Sequence, residues 1–166
     1  MFRSLDDVIS VCNGERESTA KLLAALTDAS LTQRVTEEGR TLGRIAWHVV
    51  LSIPEMLRAV GLPVEGPGEN DPVPAKAAEI AEAYSLVSQA VLETLPAAWD
   101  DATLQEERMM YGESWKNGYT LLVLMQHQTH HRGQMTVLMR QAGLRVAGVC
   151  GPSREEWEAY GMPVAD

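Results

Sequence analysis

Aromatic side chains are scarce: Phe, Trp and Tyr together make up 5% of the 166 residues, and there is a single Phe. The apolar mass, 45% of the chain counted with Ala and Cys, is carried by Leu, Val, Ala and Met, a helix-forming palette. That fraction is ordinary for a globular protein and too high for a disordered one. Cysteine is rarer still, with only Cys12 and Cys150, far apart and forming no CxxC. Two free thiols fit a reducing compartment, and a single disulfide between them is left open. Basic residues are outnumbered 14 to 23 by acidic ones, for a net charge of −9. This argues against nucleic acid as a partner, because phosphate binding rests on clustered Lys and Arg. It also disfavours docking on an anionic membrane. No apolar run approaches the roughly 20 residues that span a bilayer. The opening MFRSLDDVIS has acids where a signal peptide needs an apolar stretch, so the expected location is the cytoplasm.

What the chain does have is helical periodicity, in a length suited to one domain. A first helix is expected from about Leu5 to Leu26, with Leu5, Val8, Ile9, Cys12, Leu22, Leu23 and Leu26 on an interrupted stripe. Asn13-Gly14 predicts a bend or break in it. A second is expected from Thr41, as N-cap, to Val60, stopped by Gly61 and Pro63 and kinked at Pro54. Gly61 to Pro74 reads as a surface loop. A third helix is expected from Ala75 to Leu95, ended by Pro96, followed by an irregular connection over 97–113 with no strand. The fourth begins near Ser114 or Asn117 and ends near Ala142, with Gly143 as cap. Ser153 and Glu156 form a capping-box pattern for a short tail helix ending near Gly161. The expected fold class is all-α, a four-helix bundle with a short C-terminal helix.

Three of the four histidines fall within the fourth helix, in the string QHQTHHRGQ. His127 and His131 are four apart and share a helix face, so two imidazoles can meet one metal ion. At about 100° per residue, His131 lies within the arc of Leu121, Leu124, Met135, Leu138 and Met139, and His127 lies at its margin. His130 falls about 60° beyond His127, away from the core, and reads as a surface residue or one supporting the ligands. The string is not the zinc-protease motif, because Gln128 stands where that motif needs Glu as general base. His48, on the second helix beside Ser52 and Glu55, is the third candidate. Its side chain reads equally as a surface or hydrogen-bonded histidine, since periodicity alone does not bring two helices together.

Two blocks carry a family resemblance: Thr41-Leu42-Gly43-Arg44-Ile45-Ala46-Trp47-His48, and His127-Gln128-Thr129-His130-His131-Arg132-Gly133-Gln134. In sequence, order and separation they make the chain resemble the DinB family of metal-dependent helical bundles over nearly its whole length. The resemblance implies one domain over 1–166, an up-down-down-up bundle, and a divalent metal held by His48, His127 and His131. It also implies a homodimer. Some such proteins are S-transferases or isomerases that use a low-molecular-weight thiol.

Three imidazoles leave an open coordination position, the catalytic pattern, whereas structural zinc usually has four protein ligands. Zinc, nickel and iron all accept imidazole. The leading expectation is therefore a metal-dependent transferase or hydrolase acting on a small-molecule substrate. A non-catalytic bundle that binds metal or a small ligand, and a structural dimer with packed histidines, stand as alternatives. No general base is evident; Glu55, Tyr111 and Glu113 are weak candidates, as is Cys12 for a nucleophile. Trp47 and Trp115 read either as pocket lining or as packing. Gln134, three residues after His131, could orient a ligand, and Gly133 could permit close helix approach. Arg132 is expected to pair with a buried carboxylate that the sequence does not name.

Overall fold

A computed structural model describes residues 2–161 and Pro163. Four long helices make up its body: α1 (Leu5–Ala24), α2 (Leu42–Ala59), α3 (Ala77–Ala98) and α4 (Asn117–Gln141). Short 3₁₀ turns occupy Asp28–Thr32, Thr103–Gln105 and Arg154–Tyr160. A two-stranded antiparallel hairpin, β1 (Glu107–Met110) and β2 (Glu113–Lys116), precedes α4. The chain is thus all-α apart from that hairpin.

Hydrogen bonds at the helix ends fix the directions. The backbone N–H of Leu5 donates to Asp101, just beyond α3, so α1 begins where α3 ends. Ala77 at the start of α3 donates to Asp28, in the turn after α1, and Leu42 at the start of α2 donates to the Gln33 carbonyl. Helices α2 and α3 therefore start at the same end and run parallel. A Cβ on Gly118 would lie 3.5 Å from the Phe2 carbonyl, which places the start of α4 beside the start of α1. The result is up-down-down-up, with α1 and α2 each packed against both α3 and α4.

The parallel pair requires the connection from α2 to α3 to return along the bundle. Residues 60–76 make that crossing with Leu62 and Val64 fully buried. Arg58 donates to the carbonyls of Val64 and Gly66, and the Trp47 indole N–H donates to the Asp71 carbonyl at 3.0 Å. Trp47 is thus an anchor for the crossing, not pocket lining.

Local sequence explains most boundaries. Ser4 caps α1 and Thr41 caps α2, each side chain accepting from the backbone N–H three residues on. Gly143, at φ 74°, ends α4 in the left-handed conformation expected of a C′ glycine. Other expectations fail. Helix α1 passes Asn13-Gly14 without a break, and Asn13 donates back to the Ile9 carbonyl within the helix. Pro96 does not end α3, which runs on to Ala98 because Leu95 and Trp99 are buried on either side of it. That packing offsets the one backbone hydrogen bond proline deletes. Residues 107–116 form the hairpin where no strand was expected. Its turn is Tyr111-Gly112, with φ 51° and 87°, a two-residue connection whose left-handed residues suit strand twist.

Helix α4 is the most polar of the buried helices. Asn117, Thr120, Gln128, His131 and Arg132 are all buried on it. Arg132 is 1% exposed and reaches α1, where its guanidinium pairs with Glu15 at 2.6 Å. It also donates to Thr19 at 3.1 Å and to Thr129 at 2.9 Å. Glu15 is the carboxylate that the sequence left unnamed. Gly133, by contrast, has open space where a Cβ would stand, so close approach is not its role. Gly43 does have that role: a Cβ there would meet the Leu31 carbonyl at 3.1 Å.

Two stability predictions follow from these contacts. Arg132→Leu removes one partner of a desolvated pair and is expected to cost about 3 kcal/mol, read as a lower urea midpoint. Gly133→Ala, on an exposed helical position with room for the methyl, is expected to raise stability by about 1 kcal/mol in the same measurement.

Candidate metal centre

Helices α2 and α4 run antiparallel and in contact, which brings His48 level with His127 and His131. The His48 Nε2 lies 3.1 Å from the His127 Nε2, and the His131 Nε2 lies 3.0 Å from that same atom. The three rings stand near-perpendicular to one another, with interplanar angles of 74°, 86° and 78°. His130 is exposed on the outer side of α4, with its ring edge-on to His131 and no place among the converging nitrogens.

Protons alone do not satisfy this arrangement. Gln134 Oε1 lies 2.7 Å from the His131 Nδ1, so that nitrogen carries the proton and donates, leaving the His131 Nε2 as a bare lone pair. The single Nε2 of His127 faces both neighbours, yet it offers either one proton or one lone pair. Its own Nδ1 is buried without a hydrogen-bond partner. A cation between the rings would accept all three lone pairs at once. Tetrahedral zinc at about 2.0–2.1 Å from each nitrogen sets nitrogens about 3.3 Å apart, close to the 3.1 and 3.0 Å from His127 to its two neighbours, and all three ligand atoms lie within 4.8 Å of one another. The residues fit a divalent metal, and His48, His127 and His131 are the group that could hold it.

Electrostatics favours the neutral, ligand-ready imidazole. Burial comes first in lowering the His48 pKa to about 4, followed by the charges of His127, His131, Arg40 and Arg44. Burial likewise lowers His127 to about 4, aided by His131, His130 and Arg40. His131 is also lowered, mainly by burial, with the Gln134 hydrogen bond acting in the opposite sense.

The neighbouring polar residues have distinct tasks. Gln128, at the position a zinc protease gives to its general base, turns into the core instead. Its amide donates to the Val49 carbonyl at 2.9 Å and the Ser52 hydroxyl at 3.1 Å, tying α4 to α2. Away from the histidines, Tyr111 in the hairpin turn donates to Glu55 at 3.1 Å. Tyr111 stacks edge-on with Trp115, and Trp115 with Tyr119. Glu113 accepts from the Trp115 indole at 2.8 Å. Burial and the Glu55 charge push the Tyr111 hydroxyl up to about 12, so it stays a proton-bearing phenol. Glu55 stands two turns of α2 beyond His48, about 10 Å along the axis. Neither it nor Glu113 is brought to the histidines. Cys12 lies on α1, and burial with the Glu15 charge raises its thiol to about 12, which excludes it as a thiolate nucleophile at neutral pH.

Sequence reasoning missed Arg40 and Arg44, whose charges bear on the histidines. Arg40 precedes the α2 cap in a loop and carries no periodic signal. The Glu15 pairing had a signal: Val8, Cys12, Glu15, Thr19 and Leu22 keep helical spacing, so Glu15 and Thr19 fill the gap in the apolar stripe.

A four-helix bundle with a three-histidine cluster between antiparallel helices defines the class. The sequence model of the DinB family matches residues 1–163, and the chain belongs to that family. It is 47% identical over 162 residues to the uncharacterized protein YrdA of Bacillus subtilis, covering 98% of this chain and 97% of that one. It is similar to a DinB-like protein of Bacillus cereus whose crystal structure is solved, with TM-score 0.87 and 44% identity, covering 89% of this chain and 99% of the other. A DinB-like protein of Bacillus subtilis, YjoA, shares the fold at TM-score 0.65 and 16% identity, covering 82% and 92% of the two chains.

The lowered histidine pKa values set a pH dependence for the metal-free protein. Between pH 6.5 and about 4 the unfolded chain binds protons that the folded His48 and His127 refuse. Stability is therefore full above pH 6.5 and falls as pH drops through that window. Urea midpoints across pH 4–7.5 check this, and His48→Gln should flatten the slope.

Proposed function

We propose that the chain is a metal-dependent enzyme in which His48, His127 and His131 hold one divalent cation, acting on a small-molecule substrate as a thiol-dependent transferase or a hydrolase. The observation that carries this reading is the convergence of three histidine Nε2 atoms, with the single Nε2 of His127 facing both of the others. When bound, a divalent cation there supplies Lewis acidity and lowers the pKa of a water or thiol that reaches it. Three protein ligands leave room for such a group.

The chain's own residues bind and orient. Gln134 holds the His131 proton on Nδ1 and so keeps Nε2 turned to the site, the task that supporting residues perform around metal ligands. Gln128 fixes the register of α4 on α2. The Glu55 carboxylate, two turns of α2 from His48, and the Tyr111 hydroxyl that donates to it would hold a distal part of a substrate rather than exchange a proton at the histidines. Cys12, half-buried on α1 and held as a thiol, is not the nucleophile in this reading, and a low-molecular-weight thiol would supply it as co-substrate. Zinc, nickel and ferrous iron all suit the donor set. Assembly as a homodimer belongs to the same proposal.

The second reading is a bundle that binds metal or a small ligand without turnover. It is favoured by the distance of Glu55 and by the use of Gln128 as a strut, which leave no carboxylate beside the histidines.

Metal analysis of protein prepared without a histidine tag is the first test. Wild type should carry close to one divalent cation per chain, and His127→Ala and His131→Ala should carry little. Full metal content in those variants would refute the site. Screening small thiols against electrophiles then separates the readings: metal-dependent turnover lost in His48→Ala excludes pure binding. Gln134→Ala should weaken metal affinity roughly 10–100-fold without abolishing it.

A further inference from the structure

Beside the histidines, on the side where α2 begins, a cleft of about 510 Å³ opens between α4 and the loop before α2. His131 and Gln134 form part of its wall, and Arg40, His130, Val35 and Val137 form its outer rim. Although the chain has 23 acidic residues, no Asp or Glu among the described residues lines this cleft.

Three features of the rim point the same way. Arg40 is exposed and, among the described residues, forms no salt bridge, although Glu37 and Glu38 stand just before it in sequence. By contrast, Arg34 in the same loop is occupied, donating to the Glu37 carbonyl at 2.7 Å. Arg40 lines the same cleft as His131, so its guanidinium borders the space next to that histidine. Finally, Val35 and Val137 are 67% and 52% exposed, apolar side chains in water that line the same cleft as that cation. Beneath them the cleft is floored by Ile45 and Leu138, both buried. An uncommitted guanidinium presents a fork of donors matched to a carboxylate or phosphate. An apolar surface beside it gains by covering a hydrocarbon.

We propose that this cleft seats a small amphiphilic anion, a carboxylate or phosphate on an apolar body, with Arg40 holding the anionic group and Val35 and Val137 covering the hydrocarbon. The assignment rests on the metal-site reading above in one respect: it makes the bound molecule a substrate, delivered next to His131. The negative charge of the remaining surface discourages anions elsewhere, so Arg40 also confers selectivity.

The test uses six-carbon probes on the full chain, with and without added zinc: hexanoate, hexyl phosphate, hexan-1-ol and hexylammonium, with acetate as a short-chain control. Binding is read by methyl NMR shifts of Val35 and Val137 and by calorimetry. Hexanoate or hexyl phosphate should bind more tightly than the alcohol, and the amine should not bind. The tighter of the two anions identifies the headgroup. Acetate should bind more weakly than hexanoate. Arg40→Ala should weaken the anions about tenfold or more, with the alcohol unaffected and partial recovery in Arg40→Lys. Anion binding unchanged in Arg40→Ala, or shifts confined to residues outside the cleft, would overturn the proposal. Zinc content measured on the same samples keeps the two readings apart. Anion binding lost with zinc retained implicates Arg40 alone, and zinc absent from wild type with anion binding intact counts against the metal site only.

Discussion

The guanidinium of Arg132 decides how α4 can sit. A buried cation tolerates little displacement, because its partners Glu15, Thr19 and Thr129 must all stay within hydrogen-bond reach or leave a charge unpaired in the core. With that group directed at α1, the next residue back, His131, is turned about 100° away and faces α2. Gln128, one turn earlier, is held by the Val49 carbonyl and Ser52 on α2. Between these ties the azimuth of α4 has almost no freedom. The convergence of the histidine nitrogens depends on that rigidity more than on any property of the histidines themselves.

The same burial that fixes the helix tunes the chemistry. Imidazoles taken out of water and placed near Arg40 resist protonation, and the neutral ring is the form that donates a lone pair to a metal. Gln134 then selects which nitrogen is free on His131. The cleft beside His131 offers a cation and aliphatic walls, whereas the hairpin turn presents the edges of Tyr111, Trp115 and Tyr119 with a carboxylate and a phenol.

Much of the bundle was legible because its signals are local. The caps at Thr41 and Gly143, the period of the stripes and the spacing of His127 and His131 depend only on neighbours in the chain. The meeting of His48 with that pair is not local, and the family blocks, not periodicity, pointed to it. The errors share a cause. Pro96 and Asn13-Gly14 have unfavourable helix propensities that tertiary packing or simple continuity overrides, as at Leu95 and Trp99. The hairpin was missed because its strands are only four residues long, largely exposed, and joined by Tyr-Gly in place of a more usual Asn-Gly. Gly133 was misjudged because a helical glycine in a buried helix suggests contact, whereas it stands on the open side of α4.

The parallel course of α2 and α3 carries a consequence for the tether between them. An 18-residue helix is about 27 Å long, so the chain must retrace that distance outside the bundle before α3 can begin. At about 3.3 Å per extended residue, roughly eight residues suffice for the span. The stretch from 60 to 76 is about twice that, and the surplus is taken up by tucking Leu62 and Val64 inward and by the clasps at Trp47 and Arg58. Insertions in the outer, unclasped part of this tether meet no geometric limit. Deletions meet one abruptly, when the strap becomes too short to let two helices point the same way.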